Sequence, residues 1–243
     1  MSNTQASIAA RGATRAPTRA TAAPAGPLGL LDSTIGLKAI MAISGVILVG
    51  FLIGHFVGNT LVFAGPEAIN AYSAMLHNTH GLIWVVRALL LGAVVLHIAS
   101  AVRLYARNNA ARPQPYRVKR DVATNYAART MMASGPILLL FIVYHLAHLT
   151  FGMTPGAYAH SDTDVYSNVV RGFSVTWVSG FYIVAMLALG NHLFHGTWSM
   201  LQSLGLNHSA YNQRLHRLAL GITLFVTLGN ISIPLAVLVG IVR

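Results

Sequence analysis

Eleven histidines and no cysteine bound the chemistry open to this chain of 243 residues. Six of the histidines, His55, His97, His145, His148, His192 and His195, lie within long apolar runs. An ionisable side chain in hydrocarbon costs on the order of a few kcal/mol if charged, and is a functional candidate by default. Neutral imidazole is also a natural ligand for heme iron through one ring nitrogen. Without cysteine, disulfides, Fe–S ligation, thiolate chemistry and covalent c-type heme attachment are excluded. Any redox centre here must be held by His, Met or Tyr. A lone buried histidine is more often a hydrogen-bonded packing residue than a ligand, so the weight falls on how the six are arranged.

The elements that carry them are legible from composition. Hydrophobic residues make up 55% of the chain and charged residues 9%, against roughly 25% charged in a soluble globular chain. Mean hydropathy is +0.61. Much of the surface is therefore expected to face lipid. Five apolar segments run from about Ala39 to Phe63, Gly81 to Tyr105, Thr130 to Met153, Gly172 to Met200 and Leu218 to Val242. Each exceeds the ~20 residues a helix needs to cross the bilayer core, and none alternates as a barrel strand would. The expected fold is all-α, an integral membrane bundle of five transmembrane helices spanning residues 31–243. Pro136 is expected near the start of the third helix, where proline is tolerated, and Pro234 inside the fifth, where it should kink it.

Residues 1–30, rich in Ala, Thr, Arg and Pro and lacking acidic residues, read as a disordered basic arm. A mitochondrial transit peptide has a similar composition. Sixteen Lys and Arg stand against five Asp and Glu. The basic residues crowd into segments between apolar runs, a topology signal rather than a nucleic-acid surface. Arg11, Arg15, Arg19 and Lys38 precede the first span. Arg103, Arg107, Arg112, Arg117, Lys119, Arg120 and Arg129 join the second to the third, and Arg214 and Arg217 join the fourth to the fifth. The opposite loops carry Glu67, Asp162 and Asp164, with Arg171 at the edge. With positive charge inside, the N-terminus is expected in the cytoplasm and the C-terminus outside.

That orientation sorts the histidines by depth. At 1.5 Å per helical residue, His55 and His145 lie roughly 10–12 Å from the outer boundary. By the same rule His97 and His192 lie roughly 9–12 Å from the inner one. The four form an outer pair, His55 with His145, and an inner pair, His97 with His192, each drawing on two helices. This is the arrangement expected of two bis-histidine hemes, one above the other. The positions around His192 on its helix face are small (Ala185, Ala188, Gly196, Ser199) and would let a flat macrocycle approach. Those around His55 (Leu48, Phe51, Asn59, Val62) suit a core equally well. His148 and His195, one turn beyond His145 and His192, are alternative ligands or partners for a propionate, a quinone carbonyl or a backbone carbonyl. Arg87 suits an outer propionate, or snorkels to the surface. Glu67 is a candidate acid for quinone chemistry, or simply a solvated carboxylate. His77, His80, His160, His208 and His216 fall in loops or at helix ends and are assigned no metal.

Several of these stretches resemble a known family. Ser33-Thr-Ile-Gly-Leu-Lys-Ala-Ile-Met-Ala-Ile-Ser-Gly45, His55-Phe-Val-Gly-Asn59, His97 leading into Arg103-Leu-Tyr-Ala-Arg-Asn-Asn-Ala-Ala-Arg112, Phe141-Ile-Val-Tyr-His145-Leu-Ala-His148, and His192-Leu-Phe-His-Gly196-Thr-Trp-Ser-Met-Leu-Gln-Ser-Leu-Gly205-Leu-Asn207 are similar to the five-helix diheme cytochrome b anchors of succinate:quinone oxidoreductases, the bacterial succinate dehydrogenases and fumarate reductases. The resemblance covers Ser33 to Arg243. It implies two heme b groups and selects His192 over His195, because the family's ligand stands four residues before the glycine. It also favours His145 over His148. It implies a multi-pass protein of the bacterial cytoplasmic membrane, passing electrons from an iron–sulfur subunit, fed by a flavoprotein, to a quinone such as menaquinone. Some members carry an acidic residue two positions before the fourth ligand. Gly190 stands there in this chain, so no compensating proton path is expected.

The residues fit that role as far as they reach. No Gly-rich dinucleotide fingerprint and no cysteine are present, so flavin and Fe–S chemistry would belong to other subunits. Rival readings are the diheme subunit of another respiratory oxidoreductase, a transporter using histidines as proton relays, and a heme-free anchor.

Overall fold

Ser33 opens the first membrane helix: its side chain accepts a hydrogen bond from the Gly36 amide at 3.0 Å, satisfying one of the bare donors at a helix start. The computed structural model describes Gly29 and residues 33–111, 126–153 and 160–243. The arginines of the N-terminal arm, and Arg112, Arg117, Lys119 and Arg120, lie outside the described residues.

Every element among the described residues is helical. The order is α1 (Thr34–Asn59) with a 3-10 extension (Thr60–Ala64), α2 (Pro66–His77), α3 (Leu82–Ala110), α4 (Tyr126–His145) with a π turn (Leu146–Thr150), α5 (Val165–Ser174), α6 (Thr176–Ser203) and α7 (Asn212–Leu238). Five helices, α1, α3, α4, α6 and α7, are long and apolar enough to cross a membrane, with mean hydropathies of 1.4 to 2.3. The chain is a multi-pass membrane protein. Only 6% of the apolar window of α3 is buried within the chain, against 39% for α6 and α7. The α3 side chains left over, among them Trp84, Leu91 and Val95, have the apolar surface that lipid covers.

Helix boundaries differ from those read off hydropathy because polar residues continue helices beyond the hydrocarbon. The first span starts at Thr34 rather than Ala39, so exposed Lys38 stands inside α1. The second runs past Tyr105 to Ala110, and the fifth begins at Asn212, ahead of Leu218. The third starts by Tyr126, which makes Pro136 an interior proline and not an N-terminal one. It removes the hydrogen bond that residue 136 would donate to the Met132 carbonyl. Helix α7 continues through buried Pro234 to Leu238.

The fourth segment is two helices instead of one from Gly172. Asp164 caps α5 by accepting from the Ser167 amide at 3.1 Å. Val175 is extended, and the Ser179 hydroxyl donates to the buried Phe173 carbonyl at 2.6 Å, satisfying the break. Two ends close in the same way. Gly205 and Gly240 have φ of 81° and 77°, and the next residues, Leu206 and Ile241, donate back to Leu201 O and Ala236 O at 3.0 and 2.9 Å. Positive φ at these positions is what glycine supplies without a Cβ penalty.

Helices α1 and α3 pack together, α6 packs on α7, α4 and α1, and α2 with α5 forms a lid on one end of the bundle. That end is called here the Glu67 side, and the opposite end the Lys38 side. Asn70 ties the lid together, donating to Asp164 Oδ1 at 3.1 Å and accepting from the Tyr166 amide at 3.0 Å. Neither α1 with α4 nor α3 with α6 is among the closely packed pairs. The candidate histidines reach across those two separations.

Candidate functional site

On the Lys38 side, His97 of α3 and His192 of α6 bring their ring centroids to 6.3 Å, with 56° between planes. On the Glu67 side, His55 of α1 and His145 of α4 stand 5.8 Å apart at 89°. These are the couples that depth along the spans groups together. Two imidazoles bound on opposite faces of one metal, at the ~2.0 Å length of metal–imidazole bonds, have centroids about 6 Å apart.

Hydrogen bonds decide which ring nitrogen is available. His97 Nδ1 lies 3.2 Å from the Met41 carbonyl and 3.3 Å from Ser44 Oγ. A carbonyl only accepts, so Nδ1 carries the proton and Nε2 keeps its lone pair. Ser44 agrees, since its hydroxyl donates to its own helix at Ile40 O or Met41 O, 2.8 and 3.0 Å away. His192 Nδ1 lies 3.0 Å from Ser134 Oγ, whose proton goes to Met131 O at 3.2 Å. Ser134 therefore accepts from His192, and that Nε2 is bare as well. At the other level, His145 Nδ1 is 3.3 Å from the Tyr182 hydroxyl. His55 stacks on Phe51, one turn back, at 5.2 Å.

Each of three helices serves both levels. Ser44 and His55 share α1, Ser134 and His145 share α4, and His192 and Tyr182 share α6. Spacings of ten or eleven helical residues put the levels about 15–16 Å apart.

Among the described residues no three His, Cys, Asp or Glu side chains gather as a metal-ion site. A bare ion such as zinc takes three or four protein ligands. Two facing imidazoles instead suit a metal whose remaining positions are filled by a macrocycle. The surroundings fit one. A Cβ added to Gly196, one turn from His192, or to Gly135, beside Ser134, would meet nothing within 4 Å, although both residues are partly buried. Ala185 is buried, and Ala188 and Ser199 are partly so.

The other candidates fall elsewhere. His148 is 1% exposed and bonds Tyr182 through Nδ1 at 3.0 Å. His195 is half-buried on α6. Arg87 is exposed, its guanidinium 4.7 Å over the ring of Trp84 in the same helix. Glu67 is exposed in the first turn of α2, where a carboxylate complements the helix dipole. His77 bonds Ser73 O, His208 stacks on Tyr211, and His216 packs edge-on against Phe194 and Trp198.

Sequence reasoning missed Ser44, Ser134 and Tyr182. Each is a polar residue in an apolar span, ten or eleven residues from a histidine on the same helix, which is the only signal that would have raised them. Compared with protein-family models, with curated proteins and with solved structures, the chain gives no match.

Proposed function

We propose that this chain is a diheme cytochrome b, with one heme held by His97 and His192 and the other by His55 and His145. The observation that carries the reading is the two facing imidazole couples at separate depths of one membrane bundle, with Nδ1 engaged in three of the four rings. Heme iron bound there would supply one-electron chemistry. The chain's own residues do the positioning. Met41, Ser44 and Ser134 fix the tautomers of the Lys38-side couple and raise ligand basicity, as outer partners of metal-bound histidines do. The apolar helices exclude water, and two levels span a distance that neither would cover alone.

The wider assignment rests on the resemblance of the histidine-bearing stretches to succinate:quinone oxidoreductase anchors. In that role the chain is the membrane subunit of a bacterial succinate dehydrogenase or fumarate reductase in the cytoplasmic membrane. The Lys38 side is cytoplasmic by the positive-inside rule. An iron–sulfur subunit carrying electrons from a flavoprotein docks there, and quinone, menaquinone in the first instance, exchanges electrons within the membrane.

Redox difference spectroscopy of the purified chain tests the cytochrome reading. The expected result is two low-spin b hemes, with His55→Ala and His145→Ala removing one and His97→Ala and His192→Ala the other. A colourless chain, or losses paired otherwise, would refute it. Charge reversal at Arg117, Lys119 and Arg120 should weaken co-purification of the two soluble subunits, and unchanged assembly counts against docking at that loop.

A further inference from the structure

Tyr182 presents one hydroxyl to two imidazoles. His145 Nδ1 lies 3.3 Å from it and His148 Nδ1 3.0 Å. The phenol has a single proton and donates to one ring at most. For the other ring to hydrogen-bond through Nδ1, that nitrogen must carry its own proton, which bares its Nε2. His145 is the ring set against His55 across the bundle, so in the cytochrome reading its Nε2 is the one that must be bare; His145 then donates from Nδ1 to the phenol, and the phenol donates to His148.

The end of α4 places the second of these histidines. Just past His145 the helix ends in a π turn, with the Phe151 amide bonding Leu146 O at 3.0 Å. Here the turn carries a fully buried His148 whose ring packs against Tyr182, Tyr144 and Phe173, at centroid distances of 5.6, 5.7 and 6.2 Å. His148 thus faces the Tyr182 hydroxyl, whereas His145 faces His55.

We propose that Tyr182 is a positioning residue that sets opposite tautomers on its two neighbours. His145 offers a bare Nε2 towards His55, and His148 carries its proton on Nε2 and is withheld from iron. The proposal rests on the cytochrome reading, and it gives the two histidines of one helix different roles through a single shared hydroxyl. An imidazole that donates from Nδ1 is more basic and, bound to heme iron, would favour the ferric state. Tyr182→Phe keeps the ring in its aromatic setting of Phe141, Phe173 and Phe181 and removes the acceptor.

Redox titration of the full chain carrying Tyr182→Phe, beside His148→Gln, is the experiment. The expected result is both hemes retained in both variants. In Tyr182→Phe the heme assigned to His55 and His145 should rise in potential by about tenfold in ferric-over-ferrous preference, close to 59 mV for one electron, with the other heme unmoved. Unchanged potentials, or loss of that heme in His148→Gln, would overturn the proposal. Histidine 15N resonances of the unsubstituted chain in bilayers read the tautomers without any variant, and a proton on His148 Nδ1 overturns it too. A wild-type chain without heme would refute the cytochrome reading itself, a result distinct from all of these.

Discussion

Ser134→Ala isolates a single hydrogen bond whose effect is expected at one level of the bundle only. Ser134 Oγ accepts the His192 Nδ1 proton at 3.0 Å, in a residue 5% exposed. His97, across from it, shares its proton between Met41 O and Ser44 Oγ at 3.2 and 3.3 Å. Removing Ser134 leaves His192 without that acceptor, while Ser44→Ala leaves His97 the carbonyl. Hydrogen bonds between membrane helices average about 0.6 kcal/mol, and a buried donor left bare costs on the order of 1–3 kcal/mol. The part that differs between ferric and ferrous states, taken as about 0.6–1.4 kcal/mol, moves a one-electron potential by about 25–60 mV. The Lys38-side heme should therefore rise by that amount in Ser134→Ala and by less than half of it in Ser44→Ala, with the other heme unchanged. Potentiometric titration followed in the heme absorption bands measures both at once. A Ser44→Ala shift as large as that of Ser134→Ala, or a shift confined to the heme lost with His55 and His145, would refute the reasoning.

Other expectations concern the scaffold. A Cβ at Gly229 would run into the ring of Phe56, which is 6% exposed and set edge-on to Phe225. Gly229→Ala, although alanine favours a helix by up to about 1 kcal/mol, should lower the unfolding temperature in detergent through an overpacking cost of about 1–3 kcal/mol. Phe56→Leu should restore it in part. A Cβ at Gly58 would lie 2.7 Å from the Tyr72 ring, so Gly58→Ala should expose α2 to protease while leaving the five spans protected. Hydrogen bonds from Ser167 and then Asn70 hold the Asp164 carboxyl below its ordinary value of 3.8, with Arg171 adding to them. Because the folded value is the lower one, the cap's contribution is complete above pH 3.8 and is lost as pH falls through the folded value. Thermal unfolding between about pH 6 and pH 3 should show that loss, and Asp164→Asn should flatten the acid limb.

Composition alone determined that this chain forms apolar helices and that five of them are long enough to cross a bilayer, because every spanning backbone must satisfy its own hydrogen bonds. Counting along those helices also brought His55 level with His145 and His97 level with His192, since rise per residue is constant and needs no knowledge of neighbours. Rotation and contact lie beyond such counting. That Ser134 meets His192, that Ser44 and the Met41 carbonyl share His97, and that Tyr182 lies between His145 and His148 depend on which faces oppose one another after packing. Lipid-facing and core-facing residues are both apolar, so hydropathy does not distinguish those faces. The split at Val175, the lid of α2 on α5 and the interior position of Pro136 were hidden for a related reason. Polar residues extend, cap or break helices according to local hydrogen bonds, such as Ser179 to the Phe173 carbonyl, and these exist only once the chain has folded back on itself.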